Sequence, residues 1–223
     1  MEAYFAADAI LAVVWLAFFF KRPDLRKEMI ISSFALLLAG FADYYSRSTY
    51  WLPPTLMSIP IGIEGLFLGF VLGGIGSVTY EVFLGKYLKK FRVKSGASVD
   101  HWLAPASVAI VSLSLFFVLG MNMMPALLIA LIVGIGLIAL MRPDLRASLV
   151  FSSLSFGILY FILFVFWLKL FPEAINWWRL DVFGGIKIAS VPLGEFLFGF
   201  LYGGFYGPLY EFLFGYRLIE KKG

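Results

Sequence analysis

Long apolar runs alternate along the chain with short polar or charged stretches, and the runs have the length of membrane spans. A helix crossing a bilayer needs about 20 mostly apolar residues. Seven segments fit this pattern: 3–20, 29–43, 60–85, 103–120, 123–141, 148–170 and 191–216. The second is the shortest and extends toward residue 48. The basic residues between them are unevenly placed. Lys21, Arg22, Arg26 and Lys27 follow the first segment, and Lys86, Lys89, Lys90, Arg92 and Lys94 follow the third. Arg142 and Arg146 follow the fifth, and Arg217, Lys221 and Lys222 follow the seventh. Of the 18 basic residues, only Arg47, Lys169, Arg179 and Lys187 fall on the other side. The positive-inside rule then predicts a multi-pass cell-membrane protein with its N-terminus outside and its C-terminus in the cytoplasm.

Composition strengthens this reading. The chain is 61% hydrophobic and 14% charged, with mean hydropathy +0.92, against about 45–50% and 25% for soluble domains. The net charge of +4 is absorbed by topology, so no nucleic-acid partner is expected. With no cysteine and His101 as the one histidine, neither a disulfide nor a thiolate or histidine metal site is available; neither a metal nor a cofactor is expected. Asp8 in the first segment, and the lack of an A-x-A-like site, argue against a cleaved signal. No glycine-rich nucleotide-binding motif occurs. A nucleophile–histidine pair would need His101, beside the basic stretch after the third segment. Val191 to Tyr216 contains no lysine, so a retinal Schiff base has no anchor there.

The chain also repeats itself. "RPDLRKEMIISS" (22–33) aligns with "RPDLRASLVFSS" (142–153), an offset of 120. "GFVLGGIGSVTYEVFLG" (69–85) aligns with "GFLYGGFYGPLYEFLFG" (199–215), an offset of 130. The second copy therefore has about ten extra residues in its outer loop. The expected fold is an all-α integral membrane protein of seven transmembrane helices. Two parallel three-helix repeats, 1–90 and 123–223, are joined by a basic loop and a linker helix at 91–122, a 3+1+3 plan. The duplicated RPDLR reads as an inner turn: proline breaks the helix before it, and Asp24 or Asp144 is expected to cap the helix that follows.

Ionisable residues inside a membrane helix are costly and are functional candidates. Glu64 and Glu195 stand near the outer ends of the third and seventh segments, after Pro60 and Pro192 and beside Phe67, Phe196 and Phe198. Glu81 and Glu211 stand near the inner ends beside Lys86 and Arg217, where water and ion pairing offer a plain structural role. Asp43, at the outer end of the second segment, is a further candidate acid. The stripes Gly65, Gly69, Gly73 and Gly199, Gly203, Gly207 predict close packing of the third and seventh helices against each other, with both outer acids at one cleft. Trp51, Trp177 and Trp178 in the outer loops belong to an interfacial belt or wall the mouth of a pocket, where aromatic faces attract cations. Phe67, Phe198, Tyr202 and Tyr206 join Trp51 and Trp177 as candidate substrate contacts.

At "PLGEFLFGF" (192–200) with "PLYE" (208–211), and "GIEGLFLGF" (62–70) with "TYE" (79–81), the chain resembles the lycopene cyclase domain family. That family's three-helix unit opens its third helix with Pro-[Leu/Ile]-Glu-Glu, followed by a Phe-rich run and a later Tyr-Glu. The resemblance spans both repeats and leaves out the linker helix. It implies a cyclase that closes the end rings of a carotenoid or other polyprenoid by adding and then removing a proton, with Glu64 and Glu195 as catalytic acids. The implied partners are a lipophilic polyprenoid or carotenoid and membrane lipid, and a homo-oligomer stays open. The chain departs from the pattern: Glu64 is followed by Gly65, and Glu195 is preceded by Gly194, so each copy keeps one acid of the pair, at different positions. Two rival readings stand beside the cyclase. One is a small-molecule carrier on the 3+1+3 plan of SWEET-type transporters. The other is a homologue that binds carotenoid or lipid without turnover.

Overall fold

A computed structural model describes residues 2–39, 49–54, 62–85, 87–90 and 102–219. The candidate acid Asp43 lies outside the described residues, as does His101. The described chain is helical. Helices α1 (Glu2–Lys21), α2 (Arg26–Ala39), α3 (Ile63–Leu84), α4 (Leu103–Phe117), α5 (Met123–Met141), α6 (Arg146–Leu170), α7 (Leu193–Tyr206) and α8 (Leu209–Phe214) account for all seven apolar segments. Four of them are long and apolar enough to cross a membrane by length and composition: α1, α3, α5, and α6 with the turn before it.

One departure from expectation concerns the seventh segment, which is two helices. Pro208 has no N–H to donate and its ring obstructs the preceding turn, so α7 stops at Tyr206 and α8 starts at Leu209. The aligned position in the first half is Val78, and α3 runs through it unbroken. Both stretches end alike. Gly85 closes α3 at φ 63° and Gly215 closes α8 at φ 68°, a left-handed conformation that glycine adopts without a Cβ penalty. The strands that follow, β1 (Tyr87–Lys90) and β4 (Tyr216–Ile219), pair antiparallel, Tyr87 opposite Ile219 and Lys90 opposite Tyr216. At the other end of the molecule a tight hairpin of β2 (Lys187–Ile188) and β3 (Val191–Pro192) delivers the chain into α7.

Packing follows a pattern within each half. α2 lies against α3 and α6 against α7; α1 also packs on α3 and α5 on α7, while α4 lies along α5. Glycines make the closest approaches. A Cβ on Gly73 would come within 2.5 Å of the Ser32 carbonyl oxygen, and one on Gly203 within 2.8 Å of the Ser152 carbonyl oxygen. The glycine stripes thus bind each third helix to the second helix of its own half. They do not face each other as the sequence suggests, because the small surface is taken by α2 and α6. Contact between α3 and α7 is made instead by an aromatic residue: Tyr202 lies over Gly76 and donates its hydroxyl to the Leu72 carbonyl at 3.1 Å. Tyr206 reaches α2, donating to the Ser32 carbonyl at 2.6 Å.

The RPDLR turns hold the inner ends. In each, Pro-Asp-Leu makes a single 3-10 turn, with the aspartate inside it. It pairs with the arginine two residues before it: Arg22 with Asp24 at 2.8 and 2.9 Å, Arg142 with Asp144 at the same two distances. A third guanidinium N–H reaches across to the neighbouring helix end. Arg22 donates to the Glu81 carbonyl at 2.6 Å, and Arg142 to the Glu211 carbonyl at 3.3 Å. The second arginine of each motif donates back to the preceding helix, Arg26 to Phe19 and Arg146 to Ala139. A fixed guanidinium fork supplies the orphan carbonyls that helix ends leave without partners.

Candidate acid–base site

Glu195 stands in the first turn of α7, directly after the β2–β3 hairpin, and is buried. Both carboxyl oxygens accept a hydrogen bond. The Trp178 indole N–H donates to Oε1 at 2.9 Å, and the Tyr160 hydroxyl of α6 donates to Oε2 at 2.7 Å. The hydroxyl of Tyr50 lies against Gly194, so the room left by that glycine is filled by Tyr50 and Phe183. Burial, and then the Glu195 charge, hold the Tyr50 phenol protonated, well above its usual range.

The outer loops close over this carboxyl. Trp51 and Trp178 form a one-residue antiparallel bridge, flanked by hydrogen bonds from Leu52 N–H to the Trp177 carbonyl at 2.8 Å and Arg179 N–H to the Tyr50 carbonyl at 2.9 Å. Their rings stack, with Trp51 5.9 Å from Trp178 and Trp177 6.2 Å from Trp178. Beneath them an aromatic column runs inward. Phe198, Tyr202 and Tyr206 recur every fourth residue on one face of α7, with ring centroids 5.2 and 5.0 Å apart, and Tyr160 meets Phe198 edge-on at 6.0 Å. From Glu195 to Tyr206 the column descends about 16 Å at helical rise. Tyr206 also lines a groove of about 40 Å³ between α2 and the α7–α8 corner.

Glu64 occupies the corresponding first turn of α3 and is also buried, but its surroundings differ. Asp8 of α1 stands within its electrostatic reach and is itself buried, with an oxygen that has no hydrogen-bond partner. Tyr4, one turn before Asp8, meets Trp51 edge-on at 5.3 Å. Phe67 is 42% exposed on α3, unlike Phe198 in the column. The expected substrate contacts Trp51, Trp177, Phe198, Tyr202 and Tyr206 therefore fall in one aromatic assembly around and below Glu195, and Phe67 falls outside it.

Sequence reasoning missed Tyr160, Tyr50 and Asp8 as members of these surroundings. A signal was present for Tyr160 and Asp8: a hydroxyl or carboxyl inside an apolar run must find a polar partner or bear the cost of burial. It also misplaced the inner acids. Glu81 and Glu211 were expected to reach water beside Lys86 and Arg217, yet both are fully buried. The Glu211 carboxylate accepts a short hydrogen bond from the Tyr80 hydroxyl.

The geometry defines an apolar helical protein whose buried carboxyl, held by two donors at the top of an aromatic column, is suited to proton transfer beside an electron-rich wall. Part of the chain, including that site, is similar to a known family. Residues 122–213 match the family model described as lycopene cyclase. The matched stretch contains Glu195, Tyr160, Trp177, Trp178, Phe198, Tyr202 and Tyr206, and ends within α8. No curated protein and no solved structure matches the chain.

Proposed function

We propose that this chain is a membrane-embedded carotenoid or terpenoid cyclase that closes end rings by proton transfer, with no net redox change. The observation that carries the proposal is the buried Glu195 carboxyl, fixed by Tyr160 and Trp178 within the family-matched stretch. An acid delivers a proton to a terminal alkene of the polyene. The resulting cation is attacked by a neighbouring double bond, which forms the ring carbon–carbon bond and moves the positive charge into the ring. A carboxylate then removes a ring proton to restore the alkene, so the product is an isomer of the substrate. Trp178 and the column below it supply π faces for the cationic stage. Glu64 is the second acid in this reading, and Asp8 supplements it in the first half.

The reading includes the seven-span, 3+1+3 arrangement with the N-terminus outside. Its support is the placement of the basic residues, and the like contacts made at offsets of 120 and 130 by Ser32 with Gly73 and Ser152 with Gly203. Reporter fusions at Gly96 and at the C-terminus are both expected to read cytoplasmic, and opposite readings would break the topology.

Expression in a lycopene-producing host, followed by separation of the pigments, tests the activity. Cyclised pigment is expected from the wild type. Accumulated, folded protein with unchanged lycopene would overturn the cyclase reading. Tight carotenoid retention without product would then favour the binding homologue, and substrate-driven flux across proteoliposomes would favour the carrier.

A further inference from the structure

At the inner end, three helices bring buried carboxyls together. Glu28 of α2, Glu81 of α3 and Glu211 of α8 each offer an oxygen within 4.8 Å of the other two. All three are at most 1% exposed. Glu28 makes the arrangement more than a pair of helix-end acids: it is buried on α2, aimed into the gap between the other two, and neither of its oxygens has a hydrogen-bond partner. Both oxygens of Glu81 are also without partners, as is Oε2 of Glu211, whose Oε1 is held by Tyr80.

Two arginines flank these three acids. Arg22 and Arg142 face the site from its flanks; each is forked onto its own aspartate, Arg22 donates to the Glu81 carbonyl, and Arg142 donates to the Glu211 and Tyr216 carbonyls. The three carboxyls keep five oxygens without hydrogen-bond partners in a buried site. Ionised and alone, such groups cost several kcal/mol each. Two oxygens on one Ca2+ ion stand at most about 4.6–5.2 Å apart and on Mg2+ at most about 4.0–4.2 Å, and the three carboxyl oxygens lie within 4.8 Å of one another.

We infer that Glu28, Glu81 and Glu211 form a binding site for one hard divalent cation of the Mg2+ or Ca2+ class, which fastens the two halves of the chain together at their inner ends. The all-oxygen, carboxylate-only donor set selects this class over softer metals. The inference is independent of the cyclase reading: it predicts binding whether or not the protein turns over a polyene.

The test uses the full-length protein in detergent, stripped with EDTA and dialysed, then titrated with Mn2+ while the signal of free aqueous Mn2+ is followed by electron paramagnetic resonance. One Mn2+ per chain is expected to bind, and excess Mg2+ or Ca2+ to displace it. Glu28→Gln is expected to weaken binding about tenfold or more, and Glu195→Gln to leave it unchanged. Glu28→Ser, which installs the residue found at the aligned Ser148, serves as a second variant. A third arm leaves the ligands intact: Tb3+ bound at the site should show emission sensitised by Tyr80, and Tyr80→Phe should dim it. No Mn2+ uptake by the wild type, equal uptake by a folded Glu28 variant, or Tb3+ emission indifferent to Tyr80→Phe would overturn the inference and leave three protonated acids in its place.

Discussion

The two halves of the chain agree where backbone is supported and differ where side chains meet chemistry. Arg22 with Asp24 and Arg142 with Asp144 make the same fork, and each reaches the carbonyl of an aligned glutamate. Gly73 on Ser32 and Gly203 on Ser152 make the same close approach. At the outer ends the likeness stops. Glu195 is held by an indole and a phenol, whereas Glu64 sits within the electrostatic reach of a second acid, Asp8. At the inner end, Glu28 is aligned with Ser148, so one half supplies two carboxyls to the buried cluster and the other supplies one. The comparison teaches that like turns and like glycine contacts can carry unlike surroundings for the acids at the other end.

Seven substitutions, in four groups, press on that comparison. The largest effect belongs to the outer acids. Glu195→Gln keeps the shape, and the Tyr160 hydroxyl can turn to accept from the new amide, but no proton can be delivered. Turnover should fall by about 10²–10⁴-fold at normal protein yield, read as product per folded molecule. Glu64→Gln should do likewise, and full product from it would assign the chemistry to the second half alone. Next come the forks. Arg22→Ala and Arg142→Ala each remove the fork from an aspartate and the guanidinium donor from a helix-end carbonyl, and should lower stability by about 1–3 kcal/mol in denaturant titrations of the detergent-solubilised protein. Unequal losses would show that the two inner turns carry different loads. Gly73→Ala and Gly203→Ala push a methyl into a carbonyl of the neighbouring helix and should each cost about 1–3 kcal/mol, measured by thermal unfolding. The smallest effect is expected from Trp51→Leu, which removes one ring of the Trp51–Trp178 stack. About 0.5–1.5 kcal/mol should be lost, with turnover reduced only as far as Trp178 shifts from Glu195.

Much of the helical plan could be read from the apolar runs, because a run long enough to span a bilayer leaves the backbone no alternative to helix. The break at Pro208 was legible in principle, yet hydrophobic continuity hid it. The Tyr160 hydroxyl inside an apolar run signals that it needs a partner, but which acid it and Trp178 serve was not legible. Tyr160 and Trp178 reach Glu195 from 35 and 17 residues away, and nothing in local pattern distinguishes them from other aromatics in a chain where 19% of residues are aromatic. Glu28 was overlooked for a similar reason. It stands among Arg26 and Lys27 in a stretch that reads as solvated, and only the packing of α2 on α3 and α8 turns it inward.

The β1–β4 ribbon has a consequence for how the chain can be divided. Its two strands follow the final helix of each half and pair over four residues. Together with the contacts of α3 on α6 and α7, the ribbon holds the halves to each other by bonds that do not depend on the peptide running between them. Two polypeptides, severed between residues 91 and 101 and made in the same cell, should therefore find each other and rebuild the whole. The linker is then a convenience of synthesis, and the join that matters is the one made by hydrogen bonds.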